Sequence, residues 1–100
     1  MNVTHVLNKI DRRNLTNNTQ KVAYKLLSAN GEWVPRSALS KVARSAAARV
    51  RDLRKEEFGA FVVDCASASE LNRRGTKSTY FYRIRPGWVT KRQVDAVFNK

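Results

Sequence analysis

The chain has 100 residues, the size of one domain, and 42% of them are apolar, enough for one modest core. Twenty Lys and Arg stand against eight Asp and Glu, a formal charge of +12, and a field of that sign attracts polyanions. The lone cysteine, Cys65, excludes an internal disulfide, and with His5 far from it no metal-ligand set remains.

No apolar run approaches the roughly 18 residues of a membrane span. The opening "MNVTHVLNKIDRR" lacks the basic-then-apolar layout of a signal peptide, so a cytoplasmic protein is expected. Within it, Val3, Val6, Leu7 and Ile10 recur at helical spacing and predict a short amphipathic helix over 3–13. A second helix is expected from Thr19 to Asn30. Asn17 or Asn18 would cap it, Val22, Ala23, Leu26 and Leu27 would face inward, and Gly31 would end it. "EWVP" reads as a brief extended piece, because Pro35 keeps Val34 out of helical geometry.

"RSALSKVA" and "SAAARVRDLRKEE" predict two more short helices, with Arg44 and Ser45 as the turn and Ser45 as a cap. Ala38, Leu39 and Val42 would face inward on the first. The pattern then changes to alternation. "AFVVDCA" places Phe61, Val63 and Cys65 on one strand face, which makes Cys65 a buried, inert thiol. A polar tract, "SASELNRRGTKS", leads to a second strand, "TYFYRIR", and the two form a hairpin with an extended tip. Tyr82 of that second strand and Trp33 are expected to pack in the core or against the sheet, while Phe81 would cover another element. After the turn "RPGW", Thr90 and Gln93 match a capping box, and Val94, Val97 and Phe98 stripe a last helix.

The helix over 45–57 is unusual in combining much charge with little bulk. Projected at about 100° per residue, Ala43, Ala46, Ala47, Val50, Leu53 and Arg54 fall on the core side. Ser45, Ala48 and Asp52 fall opposite, with Arg44, Arg51 and Lys55 on one shoulder and Arg49 and Glu56 on the other. Small residues let such a helix approach base edges in a major groove while long cations reach bases and phosphates. Asp52 would either accept from a cytosine amino group or pair with Arg51, Arg49 or Lys55. Arg54, beside the core side, suggests a packed stem with a structural salt bridge.

The segment "NGEWVPRSALSKVARSAAARVRDLRKEEFGAFV…YFYRIRP" resembles the winged helix-turn-helix family, in the form common among small bacterial and phage proteins. Gly31, Trp33 and Val34 carry the likeness, then Arg49, Val50, Asp52, Leu53, Arg54 and Lys55, then Gly59, and finally Tyr82, Arg83 and Ile84. It covers roughly residues 18–85. The resemblance implies an α+β, mainly helical fold: a three-helix core with a small antiparallel β-sheet and wing. Short N- and C-terminal helices (1–16 and 87–100) would extend a core of 17–86. It also implies that 45–57 is the recognition helix and that about 67–78 is a basic wing carrying Arg73, Arg74 and Lys77. Two departures stand out. The helix-turn-helix turn lacks the glycine that many such turns use, and the tract 66–78 exceeds a minimal wing.

The expected function is double-stranded DNA binding by a small transcriptional regulator of a bacterial cell or a phage-infected host. Arg36, Arg44, Ser45, Arg49, Arg51, Asp52, Lys55, Arg73, Arg74 and Lys77 would contact DNA. The alternatives are a winged-helix module that docks a protein partner, or an architectural protein that coats nucleic acid without preference. The terminal helices would either fold back onto the domain or pack between two chains as a homodimer. No catalytic residues, metal or cofactor are expected: paired carboxylates and a glycine-rich phosphate loop are both missing from the sequence.

Overall fold

Asn17 holds extended backbone, and its side chain accepts a hydrogen bond from the Gln20 amide at 2.8 Å, which starts α1 (Asn18–Ser28). The computed structural model describes residues 15, 17–71, 79–85, 87 and 89–98. The helix expected over 3–13, and Arg73, Arg74 and Lys77 of the wing, lie outside the described residues. α1 turns Val22, Ala23, Leu26 and Leu27 inward, as its spacing predicts. Asn30 and Gly31 both adopt left-handed backbone (φ 51° and 90°), so the helix stops at Ser28 rather than Asn30.

β1 (Val34–Pro35) runs directly into α2 (Arg36–Val42). Leu39 is fully buried, but Val42 is 36% exposed rather than turned inward. The reason is the abrupt end of α2. Ala43 swings to extended backbone (φ −154°, ψ 147°) and itself fills the inward position, at 7% exposure. Ser45 then takes the left-handed region (φ 53°, ψ 51°) immediately before α3 (Ala46–Leu53). Its hydroxyl makes no capping hydrogen bond. Ser45 thus supplies the conformation a glycine would otherwise provide, rather than a cap.

α3 is shorter than the predicted 45–57. Beyond Leu53 the carbonyls are claimed by other partners: Leu53 O accepts from the Phe61 amide at 2.7 Å, and Lys55 O from Phe58 and Ala60. A 3-10 turn (Glu56–Phe58) follows, and Gly59 (φ +97°) closes it. A Cβ on Gly59 would lie 2.9 Å from the Gln93 Cα, so two segments meet there with no room between them.

β2 (Val63–Ser67) and β3 (Tyr80–Ile84) pair antiparallel, and β1 adds on the other side of β3, giving the order β1-β3-β2. Val34, Tyr82, Ile84 and Val63 point into the helical layer. Cys65, opposite Tyr82 in register, is exposed rather than buried. β2 is an edge strand, and among the described residues the helices make their main contacts with β1 and β3. Phe81, on the other face, is buried together with its partner Ala66.

α4 (Lys91–Phe98) begins with the expected box. The Thr90 amide donates to Gln93 Oε1 at 2.9 Å, and the Gln93 amide donates to Thr90 Oγ1 at 3.3 Å. Val94 and Val97 are buried in the common core, and buried Gln20 donates from Nε2 to Val97 O at 3.0 Å. The described residues form an α+β globule of four α-helices and a three-stranded antiparallel sheet. Among them no helix is long and apolar enough to cross a membrane.

Candidate nucleic-acid interface

α3 is pinned on its core side by Ala46, Val50 and Leu53, which are at most 4% exposed. That seam decides which side chains project. Ala47 and Arg51, one turn apart, are exposed, whereas Ala48, Arg49 and Asp52 are half-buried. Ala47 therefore leaves the core side on which the helical projection placed it. The free arc of α3 lies about a quarter turn from the arc centred on Ala48 and Asp52.

Asp52 accounts for the displacement. Arg49 Nε lies 3.2 Å from Asp52 Oδ2, close enough for an ion pair though off line for a hydrogen bond, and Lys55 Nζ lies 3.4 Å from Oδ1. Thr19 Oγ1, buried in the first turn of α1, donates to Oδ2 at 3.4 Å. The carboxylate thus sits near the N-terminal end of α1, where a negative charge is favoured. Of the two sequence readings of Asp52, the pairing one matches this geometry, with Arg49 and Lys55 as partners.

Arg36 at the start of α2, Arg44 and Ser45 in the turn, and Arg51 on α3 are all exposed. Arg36, Arg44 and Arg51 make no ion pair among the described residues. Lys55 lies beyond α3, at the start of the 3-10 turn. Among the described residues Arg54 makes no salt bridge, where one was expected. Its Nη2 donates to Val63 O at 2.8 Å and fastens the end of α3 to β2. Among the described residues, therefore, Arg36, Arg44, Ser45 and Arg51 are exposed and their side chains unpaired, whereas Arg49 and Lys55 are both tied to Asp52.

The sheet holds a second charged group that sequence reasoning missed. Arg83 Nε and Arg85 Nε donate to Asp64 Oδ2 at 2.9 and 2.8 Å, and the Arg83 guanidinium lies 4.4 Å over the Trp33 ring. Burial pushes the Asp64 carboxyl up, but hydrogen bonds and charge from the two arginines outweigh it and hold the pKa below the usual value. The register was the available signal, since Asp64 and Arg83 are directly opposed. Trp33, expected to pack in the core or against the sheet, is half-buried beneath Arg83 of β3. Tyr82 is buried as expected, and burial raises its pKa, as does neighbouring Cys65, against the opposing charges of Arg36 and Arg54.

At the root of the hairpin, β2 does not continue outward. Ser67 Oγ donates to Glu70 Oε1 at 3.1 Å and accepts from the Glu70 amide at 3.2 Å, curling Ala68–Leu71 into a turn. Ala68 is fully buried in it, and its amide donates to Thr79 O at 2.8 Å. Among the described residues no three His, Cys, Asp or Glu side chains gather where they could hold a metal ion. No protein-family model, curated protein or solved structure matches this chain.

Proposed function

We propose that this chain is a winged helix-turn-helix protein that binds double-stranded DNA, with α3 in the major groove. In this reading it serves as a small transcriptional regulator of bacterial or phage type. The observation that carries the reading is the placement of α3. It follows α2 through a three-residue turn (43–45), its core seam is sealed, and its outer arc offers a methyl group and a free arginine. The element order and the sheet order β1-β3-β2 support it, since a β-hairpin follows the third helix in the chain and β1, ahead of α2, pairs with its second strand. Arg36 and Arg44, exposed and without an ion pair among the described residues, suit phosphate contacts, which position a protein on the duplex without reading sequence. The wing cations Arg73, Arg74 and Lys77 are assigned to the adjacent backbone or minor groove on the resemblance alone.

Titration of fluorescent duplexes at two salt concentrations tests the proposal. Binding of a selected duplex over random sequence, weakening as salt rises, is the expected result. Equal affinity for every duplex, single strand and RNA points to an architectural coat instead. A protein-docking role has one observation in its favour, a shallow cavity of about 430 Å³ lined by Leu15, Lys21, Tyr24, Lys25, Ser28 and Val42. A stable complex with a protein and no duplex binding at moderate salt would favour that role.

A further inference from the structure

We infer that Arg51 is the base-reading arginine of α3 and takes a guanine, with Ala47 against a nearby thymine methyl, while Asp52 positions the helix. This rests on the DNA-binding reading above and specifies the ligand of that site. Asp52 is occupied from three directions, by Arg49 at 3.2 Å, Lys55 at 3.4 Å and the Thr19 hydroxyl at 3.4 Å, so it has little capacity left for a cytosine amino group. Arg49, two-thirds covered, is drawn toward that carboxylate and away from the free arc. Arg54 is spent on Val63 O. Arg51 alone among the arginines of α3 is exposed and without an ion pair among the described residues.

The chemistry of the arc selects the bases. A guanidinium donates a fork of N–H groups that matches guanine O6 and N7, the commonest specific major-groove contact. One turn earlier, exposed Ala47 offers only a methyl group, and an alanine against a thymine methyl is the apolar counterpart. Four helical residues rise about 6 Å and base pairs stack about 3.4 Å apart, so the guanine and the thymine fall within two steps of each other. Asp52 acts through the helix. Tied to Thr19 at the head of α1, it fixes the roll that presents Ala47 and Arg51 and withholds Arg49.

The test is selection of bound duplexes from a random pool by the wild type, followed by affinity measurements for variants on the selected duplex. Its guanine is also replaced in turn by adenine or 7-deazaguanine, and its thymine by uracil. R51A should lose about 5- to 150-fold of discrimination at one guanine. R51K, which keeps the charge without the fork, should lose most of that discrimination while retaining affinity for random sequence. 7-Deazaguanine, lacking N7, should weaken wild type and leave R51A unmoved, and uracil should weaken binding at one position. R49A should keep the selected motif. D52N, melting like wild type, should bind random sequence more tightly with a blurred motif, a readout that a purely structural role would not move. A motif that R51A still requires, or that R49A erases, overturns the assignment while the DNA-binding reading stands. A wild type that retains no duplex overturns both.

Discussion

Ser45 occupies a left-handed conformation that costs an L-residue about 1–2 kcal/mol relative to glycine, before the unfolded-state entropy of glycine is counted. The two effects nearly cancel for serine. S45G should therefore leave stability within about 1 kcal/mol of wild type, whereas branched S45V should lose about 2 kcal/mol. Urea unfolding of the three proteins measures the difference, and equal midpoints for S45V and S45G would contradict the assigned backbone. Neighbouring positions show why single residues were hard to read. Val42 and Ala43 exchange roles because one peptide leaves the helical region, and that event has no signature in hydrophobic spacing. Asp52 belongs to the same class, since its partner Thr19 is 33 residues away in sequence.

The elements whose signals are local were legible. Asn17 caps α1 through an amide three residues on, and Thr90 with Gln93 does the same for α4. Strand alternation was legible only as far as the helical layer extends, so Phe61 and Val63 are buried and Cys65 is not. α4 draws its stability from packing on α1 rather than from its own short length. Removing two methyl groups by V97A should cost about 2 kcal/mol and lower the thermal midpoint, with no change in far-UV signal beyond that. The β2–β3 pair carries its own pH dependence. Asp64 has a folded pKa below its unfolded value, so its contribution is complete above about pH 4 and is lost as pH falls through the folded value. Urea midpoints measured from pH 6 to pH 2 should fall less steeply in D64N than in wild type. Identical slopes would mean that Arg83 and Arg85 do not hold the carboxylate.

Over the whole molecule, the charge of +12 is distributed unevenly in effect, because part of it is internally paired. Arg83 and Arg85 serve the sheet and Arg49 serves Asp52, whereas Arg36, Arg44 and Arg51 are exposed and make no ion pair among the described residues. With about five phosphate contacts, from Arg36, Arg44 and the wing cations Arg73, Arg74 and Lys77, affinity should fall about 500-fold between about 50 and 200 mM salt. A slope that is unchanged in a protein carrying both R36A and R44A would remove those residues from the contact. The order of the described elements was legible, because helical spacing, strand alternation and the caps at Asn17 and Thr90 are local signals. The roll of α3 was not, since it is set by contacts among α1, α3 and β2.

The bare backbone at Gly59 has an effect on how mutations of this protein should be interpreted. With Gln93 Cα pressed against it, even an alanine there separates the start of α4 from the joint below α3. Under the proposed function, a survey of variants scored by DNA retention would register Gly59 and Arg51 as equals. Only a melting curve would tell a dislodged brace from a missing finger.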